Sequence, residues 1–319
     1  MGLVVQINGC NNSIKFIYCI MEYIDIKSIS ELHTFYGYAK PLNPLISIID
    51  LTKVDRSKRT KRPVFYRVGL YTIACKKITG QLKYGRTTYD FSEGSLLFTS
   101  PDQAVSPDPD IQIHDGWGLY IHPDFLNASE RGRKLKDFSA FGYDANEALH
   151  VSDEEKKTLE RCLQNIQREL SANIDNYSYE IILNNLELLF AYCTRFYGRQ
   201  FLTRVSVNND VVQRFERLLN DYFAQDTLAD AGLPDVKYFA SCLNLSGSYL
   251  SDLLGKYTGK TTLEHIHLKL IEKAKSLLWG TEKQISEIAY DLGFEHPSHF
   301  TKLFKSRAGM SPREFRNLN

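Results

Sequence analysis

Two groups of small polar, basic and histidine side chains stand near the end of the chain. One holds Ser246, Gly247, Ser248, Ser251, Asp252 and Lys256, and the other holds His296, Pro297, Ser298, His299, Lys302 and Lys305. Their spacing of three and four residues puts each group on one helix face. Neither group resembles a reaction centre, because no nucleophile stands with a base and an orienting partner. The side chains suit a surface that offers bases and phosphates. Serine pairs with several bases, lysine reaches guanine O6 and N7 or a phosphate, and proline offers apolar contact alone. His299 is read as a base or phosphate contact in preference to a solvated imidazole. The chemistry these residues support is recognition of nucleic acid.

Such residues need a helix that presents them outward, and the flanking pattern supplies one twice. Val236 to Gly259 and Ile285 to Gly309 each read as a short helix, a tight turn and a longer helix closed by glycine. That is the layout of a helix-turn-helix, whose second helix enters the major groove. In the second copy Ile285, Ile288, Ala289 and Leu292 form the buried stripe of the first helix. Gly293 supplies the turn, and Pro297 suits the first turn of the next helix, where its missing N–H costs nothing. Phe300, Leu303 and Phe304 face the core there, as Leu250, Leu253 and Leu254 do in the first copy. Thr261 to Leu278 forms a connecting helix with Leu263, Ile266, Leu270, Ala274 and Leu277 as its stripe. It is roughly 27 Å long, compatible with recognition helices about 34 Å apart, one DNA turn. His265 and His267 fall on different faces and read as packing or surface residues. Lys269, Lys273 and Lys275 read as solvated.

Residues 209–319 resemble the DNA-binding domain of AraC/XylS-type transcriptional regulators. The resemblance is carried by Ser286-Glu-Ile-Ala-Tyr-Asp-Leu-Gly-Phe294, Phe300-Thr-Lys-Leu-Phe-Lys305 and Gly309-Met-Ser-Pro-Arg-Glu-Phe-Arg316. It implies that the outward residues at the start of each second helix read bases. Asp252 departs from the pattern, since the matching position often carries a basic residue. A carboxylate repels phosphate yet accepts a hydrogen bond from cytosine N4, so the first copy is expected to discriminate more than it grips.

Composition agrees with a local rather than global attraction to DNA. The 319 residues carry a net charge of +1. Residues 208–235 hold two basic and six acidic side chains, whereas 236–319 hold twelve basic and eight acidic. The sign therefore changes where the first motif begins. Length and 43% hydrophobic residues allow two cores. Cysteines at 10, 19, 75, 162, 193 and 242 form no close pair and read as reduced thiols. The apolar stretch Ile14 to Ile26 is broken by charges and too short to span a bilayer. A cytoplasmic protein without membrane attachment is expected.

The remaining chain divides by pattern. Residues 1–20 read as an upstream extension, with Met21 as an alternative start. Residues 21–150 read as a barrel built of short strands with turn residues between them, and the resemblance implies that it is a sensor. Tyr89 to Gln103 and Gly116 to Leu126 resemble strands of a cupin-like barrel. Its His114 and His122 stand eight apart without a His-x-His pair, so no metal and no cofactor is expected. The run Lys53 to Arg62 reads as a solvated basic loop, with an anionic ligand or accessory DNA contact as the sharper alternative. Ser152 and Glu155 form a capping box that opens a helix pair over 151–198. The second of these helices is apolar on more than one face and is expected to dimerise through Leu186, Leu189, Cys193 and Phe196. The polar stretch 199–208 reads as a linker.

The fold class expected is α+β: a cupin-like β-barrel with a flanking helix pair, then an all-α domain of two helix-turn-helix subdomains on a linker helix. The function expected is a transcriptional regulator and not an enzyme, dimeric, binding double-stranded promoter DNA under an unknown small-molecule effector. RNA polymerase is a further partner if it activates. The alternatives are a constitutive dimeric DNA binder with a structural barrel and a metal-binding cupin enzyme with a tethered DNA module.

Overall fold

The structure, a computed structural model, describes residues 22–54, 64–79, 81–84, 87–90, 94–107, 112–144, 147–173, 175–203, 205–224, 228 and 232–318. The upstream extension and the basic stretch 55–62 lie outside these residues. Two compact units meet at 197/198 along the chain.

The first unit is built on two five-stranded sheets. β1 (Glu22–Ile26), β3 (Val64–Val68), β8 (Ala104–Pro107), β5 (Gln81–Tyr84) and β6 (Thr87–Asp90) form one, in that order, with β1 parallel to β3. The other runs β10 (Leu149–His150), β7 (Ser95–Thr99), β4 (Tyr71–Thr79), β9 (Gln112–Ile121) and β2 (Ile46–Asp50), all antiparallel. No strand pairing among the described residues joins the two sheets.

Alternation along the strands sorts the second sheet into two faces. Ile49, Ala74 and Tyr120 share a buried cluster with Ile26 of β1 and with Ile29 and Leu32 of α1 (Ile29–Tyr36). One core thus draws on both sheets. The opposite face carries Ile73, Cys75, Phe98, Trp117 and Leu119, all buried. Phe98 on this face meets the rings of Phe141 and of Tyr197 in α5 (Ser178–Thr203). α2 (Pro123–Asn127), α3 (Glu130–Leu135) and a 3-10 turn at Ser139–Gly142 lie between the sheet and the long helices along the chain.

α4 (Asp153–Ser171) opens on the capping box read from the sequence, with Glu155 N donating to Ser152 Oγ and Ser152 N to Glu155 Oε2. Its stripe Leu159, Cys162, Leu163, Ile166 and Leu170 is buried. α5 corrects the expected dimer surface. Leu186, Leu189, Cys193 and Phe196 are buried within the chain itself, so they form core and not a surface. The apolar residues that remain exposed on this helix include Ile181 at 40% and Leu188 at 45%. The stripe of largest hydrophobicity went inward, as burial of apolar area requires.

Burial pushes the Cys75 thiol up to about 12 and raises Cys193 as well. Cys162 is also buried, whereas Cys242 is exposed. Among the described residues no cluster of His, Cys, Asp and Glu has the makings of a metal site, and no helix is long and apolar enough to cross a membrane.

The polar stretch 199–208 is helical over 199–203 and again from Val205, where α6 (Val205–Ala224) starts. Phe201 is buried against the Tyr249 ring, and its carbonyl accepts from Tyr257 Oη at 2.7 Å and Asn208 Nδ2 at 2.8 Å. The polar side chains satisfy a buried backbone group, which composition alone does not reveal.

The second unit is all helix: α6, then α7 (Val236–Leu243), α8 (Gly247–Thr258), α9 (Thr262–Gly280), α10 (Ile285–Asp291), α11 (Pro297–Ala308) and α12 (Pro312–Arg316). One continuous core runs through it. Phe215 and Phe239 sit at one end, Ile266, Leu270 and Ala274 of α9 in the middle, and Phe300, Phe304 and Phe315 at the other end.

Candidate nucleic-acid interface

Both halves are held on α9. A capping box starts this helix, with Thr261 and Glu264 each satisfying the other's backbone N–H. Its inward stripe is Thr262, Ile266, Leu270, Ile271, Ala274 and Leu278. Leu263, assigned to that stripe from the sequence, is 46% exposed, because the buried face begins one residue earlier at Thr262.

The first reader is α7, a turn and α8. Asp235 caps α7, and Asn244 ends it in the left-handed conformation at φ 57°. Ser246 caps α8 by accepting from Tyr249 N at 3.1 Å. The second reader is α10, a turn and α11. Its turn passes through Gly293 at φ +83°, where an added Cβ would stand 2.7 Å from the Leu228 carbonyl oxygen. Positive φ and close approach both demand glycine there. Asn244 stands two residues before its helix cap and Gly293 three before His296, so the second turn is one residue longer.

Aligning the caps makes the two recognition helices comparable position by position. Leu250 and Leu254 match Phe300 and Phe304, and all four are fully buried. The outward residues differ. Ser298, His299, Lys302 and Lys305 are exposed, Pro297 is half-buried in the first turn, and His296 caps the helix by backbone alone. The His296 and His299 rings meet edge-on at 5.4 Å. This helix therefore leaves Ser298, His299, Lys302 and Lys305 exposed.

The first helix presents fewer. The position of His299 is filled by Tyr249, which is 6% exposed and packed on Phe201. Ser251 is half-buried and donates to Thr262 Oγ1 at 3.1 Å, so it ties α8 to α9 and does not point at a ligand. Gly247, Ser248 and Asp252 are half-buried, and Lys256 is exposed one turn on. Asp252 occupies the place of Lys302, and Gly255 that of Lys305. The exchange puts a carboxylate in place of one cation and no charge in place of the other.

The cations of α9 have other occupations. Lys269 pairs with Glu272 at 3.1 Å, and Lys273 donates to the Phe223 carbonyl at 2.7 Å. Lys275 lies over the Phe315 ring at 5.4 Å. His265 bonds Thr258 Oγ1 at 2.7 Å through Nε2 and sits edge-on to Phe215. Burial lowers its pKa, and burial with the nearby Arg307 lowers that of His267. Arg307, not singled out in the sequence, lies 3.3 Å from His267 Nδ1. Both imidazoles favour the neutral form, so neither adds charge for phosphate.

Residues 239–318 match the helix-turn-helix domain family. The transcriptional activators RhaS of Salmonella paratyphi B and Salmonella newport are 30% identical over 133 residues, 41% of this chain and 45% of theirs. The chain thus spans less than half the length of the curated relatives it matches. The carboxy-terminal domain of AraT, a response regulator from Geobacillus stearothermophilus, is 29% identical over 34% of this chain and 85% of that one, with a TM-score of 0.30. That of the response regulator yesN from Fusobacterium nucleatum is also 29% identical, over 32% and 96%, with a TM-score of 0.28. The matched region coincides with the two readers and the helix between them, and the carboxy-terminal unit of this chain belongs to the AraC/XylS-type helix-turn-helix domains.

Proposed function

We propose that the chain is a sequence-specific DNA-binding transcriptional regulator that reads two major-groove segments with one subunit. The observation that carries this is the pair of helix-turn-helices packed on α9 through one core, with the second recognition helix presenting Ser298, His299, Lys302 and Lys305 to solvent. α9 has 19 residues, roughly 28 Å of helix, a spacing suited to adjacent groove segments. The matched relatives named as activators favour activation, with RNA polymerase as the further partner.

In this reading the first unit is a cupin-like barrel that binds a small-molecule effector, and the protein is a homodimer. The two sheets sharing one core support the barrel. The exposed Ile181 and Leu188, spaced seven apart on α5, support self-association through a face other than the buried stripe. An effector acts here only through its differential affinity for two arrangements of the protein.

Selection of bound duplexes from a randomised pool tests the proposal. The expected result is a bipartite site with two contacted segments about 10 base pairs apart. Asp252→Ala should relax preference at one position in the first segment. Recovery of no enriched sequence would overturn the reading.

A further inference from the structure

Given α8 and α11 as the groove-reading helices proposed above, we infer that Phe201 and Asn208 are positioning residues for DNA reading. They anchor α8 through Tyr249 and Tyr257 and set its pose separately from that of α11. The second unit opens at Gly198, so these contacts all lie inside it.

Phe201 reaches the helix at two places. Its ring, on a residue 5% exposed, packs on that of Tyr249 with centroids 5.1 Å apart. Its carbonyl accepts from Tyr257 Oη at 2.7 Å. Asn208, 3% exposed, donates through Nδ2 to the same carbonyl at 2.8 Å and stands 3.3 Å from Tyr257 Oη. Phe201 belongs to α5 and Asn208 to α6, so one buried carbonyl gathers the ends of two helices onto α8. Tyr249 and Tyr257 stand eight residues apart, roughly 12 Å along the helix and about 80° around it. Anchors separated both along and around an axis fix tilt and rotation together. Rotation decides which side chains meet base edges, since successive residues differ by about 100°.

The matching positions of the second recognition helix carry no such anchor. With Ser246 aligned on His296, Tyr249 falls on His299 and Tyr257 on Arg307, both exposed. An aromatic pair turned onto Phe201 in one helix thus replaces two exposed polar side chains in the other. Two positions suited to DNA contact are exchanged for a fixed pose. Asp252 makes that pose matter. A carboxylate aimed at cytosine N4 accepts a hydrogen bond, whereas the same group turned toward phosphate is repelled.

The test uses the full chain and the bipartite duplex recovered by selection, with hydroxyl-radical footprinting to follow its two segments separately at saturating protein. The segment read by α11 is the one whose protection weakens in Lys302→Ala, and the other belongs to α8. Tyr257→Phe removes only the hydroxyl that reaches the Phe201 carbonyl, and Phe201→Ala removes the ring. Each is expected to weaken protection of the α8 segment and to lower affinity for the duplex about five-fold or more, the cost of one lost base contact. The α11 segment should keep wild-type protection in both. Phe201→Leu, which refills most of the space, should recover most of the loss. Leu270→Val, in the core that both readers share, should move the two segments together. Equal weakening of both segments by the Phe201 and Tyr257 variants would reduce these residues to ordinary core and overturn the inference. Undiminished protection in both variants would overturn it as well. A wild-type chain that protects no sequence would remove the DNA-reading proposal itself, and this inference with it.

Discussion

At the scale of single residues, the difference between the two readers comes down to a few exchanges at matching positions. Tyr249 is buried where His299 is exposed, and Asp252 stands where Lys302 does. The charge exchange was legible in the sequence, because both side-chain types and their spacing are. The burial of Tyr249 and the bond from Ser251 to Thr262 were not, since both depend on residues distant along the chain. Gly293 is the residue whose role is most constrained. Gly293→Ala should destabilise the second unit by about 1–3 kcal/mol, read as a shift in the denaturant midpoint, since the new methyl meets backbone at Leu228 and Gly232. His265 and His267 predict a pH response. Their folded pKa values lie below the ordinary 6.5, so the unfolded chain takes up protons first as pH falls. The stability they contribute is complete above pH 6.5 and is lost as pH drops through their lowered folded values. Replacing both by glutamine should flatten the stability profile between about pH 6.5 and 5, before carboxylates titrate; an unchanged profile would reject the assignment.

At the scale of elements, the legible features were those written in local pattern. The capping box at Ser152, the two helix pairs of the readers and the glycines closing α8 and α11 follow from short-range chemistry. Two stretches are buried in ways that local pattern does not reveal. The apolar stripe of α5 pointed to a partner, but its strongest residues found that partner inside the chain. The polar stretch after Gly198 pointed to a linker, and the boundary between the two units does fall beside it, but Phe201 and Asn208 within it are buried. Periodicity tells that a face is buried and not what buries it. Ile181 and Leu188 now carry the dimer proposal. Their joint replacement by glutamate should convert a dimer to a monomer in sedimentation while leaving the fold intact, because both are exposed. A wild-type chain that sediments as a monomer would remove the proposal.

At the scale of the whole molecule, the chain joins a mixed helix-and-sheet unit to an all-helical DNA-binding unit in which the two helix-turn-helices share one core through α9. Its net charge of +1 gives no general attraction to nucleic acid, so grip on phosphate must come from a few placed cations. The second recognition helix holds Lys302 and Lys305 where the first holds Asp252 and Gly255. The central claim is that the second reader supplies most of the affinity and the first mainly discriminates. The most direct test is the salt dependence of binding to a random-sequence duplex by the full chain. Each lost phosphate contact lowers the slope of log affinity against log salt by about 0.9. The double variant Lys302→Ala, Lys305→Ala should therefore lose nearly two units of slope, while Asp252→Ala should lose none. A slope unchanged by removal of both lysines would contradict the account.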